Sequence, residues 1–145
     1  MTDAPDDLLL LENQLCFALV TAARNVVSAY RPILAPLGLT HPQYLVMLAL
    51  WERSPRSLTD LAEEIALEPA TASPLVKRLE AQGLIARERR ANDERRLDIT
   101  LTSTGRVLRE RALEVPGRVA ASTGLSLEQL LRIREALAPL AGRRD

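Results

Sequence analysis

The sequence predicts a mainly helical chain with one small β-hairpin, an α+β arrangement in which helices do most of the packing. Three observations carry this. Apolar residues recur at spacings of three and four over most of the 145 residues. Pro, Gly and capping Ser or Thr residues mostly separate those runs. Between Leu84 and Leu101 the period drops to two, as strands with one buried face require.

In chain order, residues from Asp7 to about Tyr30 hold no Pro or Gly and repeat Leu8, Leu11, Leu15, Leu19, Ala22 and Val26, which predicts a helix. A second apolar line, Leu9, Cys16, Val20, Ala23 and Val27, lies beside the first, so this helix expects burial on two sides, the second often another subunit. Pro32, Pro36 and Gly38 are expected to break it. Thr40 precedes His41-Pro42 and a helix through Tyr44, Leu45, Met47, Leu48 and Trp51, ending near Ser54-Pro55, with Met47, Leu48 and Trp51 read as core.

Ser57 or Thr59 caps a short helix carrying Leu58, Leu61, Ala62 and Ile65. After the tight connection at 66–68, Pro69 suits the first position of a helix that stops at Gly83, with Leu75 and Leu79 inward. Pro74 must fall in its first turns or bend it. Leu84–Arg89 and Arg96–Leu101 read as two strands around a turn at 91–94. Thr102 caps a helix to about Glu114, with a break or kink near Pro116-Gly117, and Ser126 with Gln129 forms a capping box for a last helix to about Leu140.

Composition narrows the function classes. At 145 residues and 47% hydrophobic, the chain can bury a real core as one globular domain or as a domain with a helical extension. The single Cys16 excludes an intrachain disulfide and any multi-Cys metal site, and the lone His41 excludes a two-His motif. No metal or cofactor is expected. No Ser/His/Asp set or Gly-rich phosphate loop is evident, so no enzymatic activity is expected. Asp3, Asp6 and Asp7 stand where a signal peptide wants basic residues, so a cytoplasmic, thiol-reducing setting without membrane contact is expected.

The net charge of +0 conceals an asymmetry. Residues 1–68 hold 4 basic and 9 acidic residues (4 − 9 = −5), whereas residues 69–145 hold 15 and 10 (15 − 10 = +5). A charge run taken alone is often just a solvated face. Here the basic cluster from Lys77 to Arg96 coincides with a short helix, a tight turn, a second helix and an Arg-rich hairpin. That succession describes a winged helix-turn-helix. The second helix offers Thr71, Ser73, Lys77 and Arg78 to a major groove and its phosphates. The hairpin carries Arg87, Arg89, Arg90, Arg95 and Arg96, suited to phosphates and a narrow minor groove.

The stretches HPQYLVMLALWE, LTDLAEEI, SPLVKRLEAQGLI and NDERRLDITLTSTG resemble the MarR family of bacterial transcriptional regulators. LENQLCFAL, AYRP and VPG resemble its organic hydroperoxide resistance regulator (OhrR) branch, of the one-Cys type. The resemblance covers roughly residues 8–140. It implies one integrated domain: an N-terminal dimerisation and sensor helix in 1–34, a winged helix-turn-helix in 35–102, and C-terminal dimerisation helices in 103–145. It further implies a homodimer that represses genes from a palindromic double-stranded DNA operator and lets go when Cys16 is oxidised by an organic hydroperoxide. Arg95 matches the position that enters the minor groove.

A thiol reacts with peroxide as the thiolate, giving a sulfenic acid. Counting the helix from Asp7 places Cys16 about ten residues in, too deep for the helix dipole to act on it. In the OhrR branch Tyr hydroxyls of the partner subunit support the thiol, and these map onto Tyr30 and position 41. Position 41 is His41 here, Val20 replaces the commonly aromatic residue after FAL, and Tyr44 stands on the same helix as His41. With no second Cys, the sulfenate is expected to need a low-molecular-weight thiol, or to overoxidise. Two other readings stay open: a MarR-type regulator released by a small organic ligand with Cys16 a spectator, and, more remotely, a thiol peroxidase.

Overall fold

A computed structural model describes residues 5–90 and 93–142, and of residues 5, 90 and 93–95 the backbone only. It is mostly helical with one three-stranded sheet. The chain forms two compact units: residues 34–115, and residues 1–33 together with 116–145. Among the described residues no single helix is long and apolar enough to cross a membrane.

The 34–115 unit holds α2 (His41–Glu52), β1 (Arg56–Ser57), α3 (Leu58–Glu64), α4 (Pro69–Ala81), β2 (Ile85–Arg90), β3 (Asp93–Leu101) and α5 (Ser103–Ala112). The caps expected at Ser57 and Thr102 form: Ser57 accepts from the Asp60 N–H at α3, and Thr102 accepts from the Gly105 N–H at α5. Thr40 and Gln43 add a reciprocal capping box on α2. The helix-turn-helix joint is fixed by main-chain bonds. Leu67 N–H donates to Ala62 O and Ala66 N–H to Glu63 O, with Ala66 left-handed at φ 59°. The same pair of bonds ends α4, where Leu84 donates to Leu79 O and Gly83 to Glu80 O, with Gly83 at φ 78°.

Strand order is β1-β3-β2, all antiparallel. Ile99 of β3, fully buried, faces Arg56 on one side and Arg87 on the other. Along β2 the partner of Arg89 is Leu97 and that of Arg90 is Asp93, so residues 94–96 fall outside the one-to-one ladder. The sequence reading had no first strand. β1 is two residues long, too short for any period, and is made by pairing to β3.

The core of this unit is well filled. Of the 20 buried apolar residues described, 18 lie in 34–115, Leu34, Met47, Leu50, Leu61, Leu79 and Ile99 among the deepest. Trp51 is only half-buried and donates through Nε1 to Gly105 O at 2.9 Å, joining α2 to α5. Arg111 Nη2 donates to Pro36 O at 2.8 Å. Through these bonds α5 packs within the 34–115 unit. Two core expectations need correction. Leu48 is 40% exposed, and α4 buries Ala72, Val76 and Leu79, leaving Leu75 at its edge.

The second unit contains α1 (Leu15–Leu34, apart from Leu34), α6 (Val115–Thr123, apart from Val115) and α7 (Leu127–Leu137). Here the structure departs most from periodicity. The helix expected from Asp7 starts only at Leu15, preceded by two 3₁₀ turns. Asn13 Nδ2 donates to Asp7 O, and Gln14 Nε2 donates to Leu8 O and Leu10 O at 2.8 and 2.9 Å. These side chains satisfy carbonyls that a continuous helix would have used, and so break it.

At the other end Pro32 does not stop α1, because only two helical residues follow it and little of the ladder is lost. Pro116 sits at the second position of α6 and so begins a helix rather than kinking one. Ser126 and Gln129 form the expected capping box on α7.

Candidate nucleic-acid interface and the cysteine helix

The three buried positions of α4, Ala72, Val76 and Leu79, fall at i, i+4 and i+7 and turn that face into the core. Lys77 and Arg78 therefore project on the opposite face, and both are exposed. Thr71 is exposed and Ser73 half-exposed on its flanks. The helix thus presents two cations and two hydroxyls together, as phosphate and base-edge contacts require.

The hairpin follows α4 after one tight turn. Arg89 and Arg96 are exposed on β2 and β3. Arg96 borders a cleft of about 410 Å³ that α3 lines with Asp60 and Glu63. Arg90 and Arg95 belong to the strands by backbone, and their side chains lie outside the described residues. Arg87 differs from the rest. Its guanidinium is held by Glu80 through Nη2 to Oε1 at 2.9 Å and Nε to Oε2 at 3.1 Å, and its main-chain N–H donates to Oε2 at 3.2 Å. That hydrogen bonding holds the Glu80 carboxyl below the usual carboxylate range and raises Arg87 further.

The base of the hairpin rests on a buried cation. Arg56 is nearly fully buried and approaches Asp60 at 3.4 Å, Glu64 at 3.8 Å and Glu52 at 3.9 Å, while its Nε donates to Arg53 O at 3.1 Å. It ties the end of α2 and α3 to the strand that pairs with β3. Neither Glu80 nor Arg56 was singled out from sequence. Glu80 and Arg87 stand seven residues apart across a turn, and Arg56, though four residues from both Glu52 and Asp60, sits in a short strand between two helices rather than on one helical face.

Cys16 is exposed and is the second residue of α1. This corrects the depth of ten residues inferred from periodicity. The thiol sits in the first turn of α1. Tyr30 lies near the other end of α1, half-buried, its hydroxyl pKa pushed up by that burial. His41 opens α2 and burial lowers its imidazole pKa. Tyr44, one turn along α2, is buried in the core of the 34–115 unit.

The surface of the cysteine unit is unusual. Of the 16 exposed large apolar residues described, 13 belong to residues 1–33 and 116–145, including Leu15, Phe17, Val20, Val26, Leu131 and Ile133. Among the described residues of that unit, Val119 and Ala120 alone are buried apolar residues. Within it α1 and α7 border an apolar groove of about 710 Å³, lined by Leu19, Val26, Leu130, Ile133 and others, with Asn25, Thr123 and Arg134 as its polar members.

Comparison with known proteins accords with this geometry. The MarR family profile matches residues 39–97, the stretch from the start of α2 into β3. The chain is similar to the organic hydroperoxide resistance transcriptional regulator of Bacillus subtilis, 40% identical over 131 residues, covering 90% of this chain and 89% of that protein. Reduced AbfR bound to DNA, a protein of Staphylococcus epidermidis, superimposes with a TM-score of 0.78 at 33% identity, covering 95% of this chain and 96% of that one. BpsR of Bordetella bronchiseptica, whose DNA binding is regulated by 6-hydroxynicotinic acid, gives a TM-score of 0.80 at 27% identity over 92% and 96% of the two chains. The winged helix, its exposed cations and these likenesses make one assignment: the chain belongs to the MarR family and is a DNA-binding transcriptional regulator.

Proposed function

We propose that this regulator is a homodimeric repressor whose Cys16 senses organic hydroperoxides and, once oxidised, releases a palindromic double-stranded operator. The observation that carries the reading is the place of Cys16. It is exposed in the first turn of α1, in the unit whose apolar residues are largely uncovered. An uncovered face of that extent suits a second copy of the chain, so a change at Cys16 falls beside the dimer contact. Thr71, Ser73, Lys77 and Arg78 then serve as helix contacts and Arg89, Arg90, Arg95 and Arg96 as wing contacts.

The chemistry balances without a cofactor. The thiolate sulfur attacks the distal peroxide oxygen, the O–O bond breaks, and the organic part leaves as the alcohol while Cys16 becomes a sulfenic acid. A small thiol then displaces hydroxide, which leaves as water, and a mixed disulfide remains. Added bulk beside the dimer contact shifts the two reading helices out of their shared groove spacing. Intact-mass measurement during release by cumene hydroperoxide and cysteine tests this. A mass increase on Cys16 that tracks release supports the reading, and release with Cys16 unmodified contradicts it.

A second reading has one observation in its favour. The apolar groove between α1 and α7, with Asn25 and Arg134 beside it, is large enough for a small organic acid, and the regulation of BpsR by 6-hydroxynicotinic acid gives that class a precedent. In that case an inducer releases DNA from a Cys16→Ser variant as well as from the unaltered protein.

A further inference from the structure

We propose that Glu80 is a positioning residue for DNA recognition: by chelating Arg87 it fixes the wing against the recognition helix, and Arg87 serves that clamp rather than binding phosphate. The inference rests on α4 and the hairpin being the DNA-reading surface, as proposed above. Glu80 is the penultimate residue of α4, at the helix end whose partial charge is already negative and where a carboxylate is disfavoured. It stands there with three N–H donors, all from Arg87. Two come from the guanidinium fork, a geometry that Lys cannot reproduce. The third is the main chain of β2, so the bond grips the strand itself as well as the side chain.

The clamp spans the turn where α4 becomes the wing. Gly83 swings the chain round in the left-handed region, and Leu84 returns a bond to Leu79 O. A turn held by those bonds alone can pivot. The Glu80 grip at Arg87 adds a second point of attachment, and Arg87 is the β2 residue that faces buried Ile99 in the middle of the sheet. The angle between α4 and the wing is therefore set by the Glu80 grip together with the turn, which Thr102 also holds through bonds to Gly83 O and Leu84 O. Since the helix reads one groove and the wing another, that angle sets whether both fit one DNA site.

Plain electrostatics predicts the reverse, which makes the proposal sharp. A carboxylate on a phosphate-facing surface repels DNA, so removing it without any positioning role tightens binding. The test uses the full-length protein and two duplexes, one enriched from random sequence by the unaltered protein and a scrambled one of equal length. Affinities are measured over a salt series, active fraction by stoichiometric titration, and the thermal midpoint alongside.

With the clamp, Glu80→Gln and Arg87→Lys each lose about tenfold on the enriched duplex and less than about twofold on the scrambled one, with the salt slope unchanged. The double variant Glu80→Gln/Arg87→Gln loses no more than either single change, because both break the same contact. Tighter binding by Glu80→Gln overturns the proposal. So does a slope lowered by about one in Arg87→Gln, which makes Arg87 a phosphate ligand. Equal losses on both duplexes with a lowered midpoint reduce the pair to general stability and overturn it too. An unaltered protein that fails to distinguish the two duplexes overturns the DNA-reading assignment of α4 and the wing, and the clamp with it.

Discussion

Cys16 and Tyr30 share one helix and cannot meet within one chain. Fourteen residues separate them along α1, and a rise of 1.5 Å per residue puts them about 21 Å apart. A Tyr side chain spans well under half of that. On the proposed reading the hydroxyl beside Cys16 is Tyr30 of the partner subunit. Tyr30→Phe is therefore expected to leave DNA binding by the reduced protein intact and to slow Cys16 oxidation about tenfold, the worth of one hydrogen bond to a charged group. Quenched reactions with cumene hydroperoxide followed by mass spectrometry measure this.

Lys77 is exposed on the face of α4 opposite its buried stripe. Lys77→Ala is expected to weaken enriched and scrambled duplexes alike and to lower the salt slope by about one, the signature of a phosphate contact. Fluorescence anisotropy over a salt series reads both quantities. A loss confined to the enriched duplex would instead make Lys77 a base contact.

Burial lowers the pKa of His41 from its ordinary 6.5. The unfolded chain then takes up its proton first as the pH falls. Stability linked to His41 is present in full above 6.5 and is lost as the pH falls below it through the folded value. Urea denaturation at pH values on either side of 6.5 should show this decline, and His41→Gln should flatten it.

Gly105 lies where a side chain does not fit. A Cβ there would stand 2.1 Å from Leu84 O, an atom that also accepts from Thr102 N–H at 3.1 Å. Gly105→Ala is expected to cost about 3 kcal/mol through this main-chain clash. The single Trp51, bonded to Gly105 O, reports the transition by its fluorescence during urea denaturation.

Much of the recognition surface was legible from sequence because its signals are local. Thr40, Ser57, Thr102 and Ser126 all cap the helices they precede, and Pro69 and Gly83 mark the limits of the recognition helix. The start of α1 was not legible. Apolar spacing from Leu8 onward looks helical, and only the side-chain bonds of Asn13 and Gln14 to earlier carbonyls divert the chain. That error moved Cys16 from the first helical turn to the middle of a helix. The Glu80–Arg87 clamp was hidden for a related reason, since it joins a helix to a strand across a turn and follows no single period.

The most direct test of the redox account compares the unaltered protein with Cys16→Ser, each bound to the enriched duplex, while cumene hydroperoxide and cysteine are added. The account predicts that the unaltered protein releases the duplex and regains it on reduction with dithiothreitol, whereas Cys16→Ser stays bound throughout. Equal release from both proteins, or an unaltered protein that stays bound after its Cys16 has been fully modified, would contradict it.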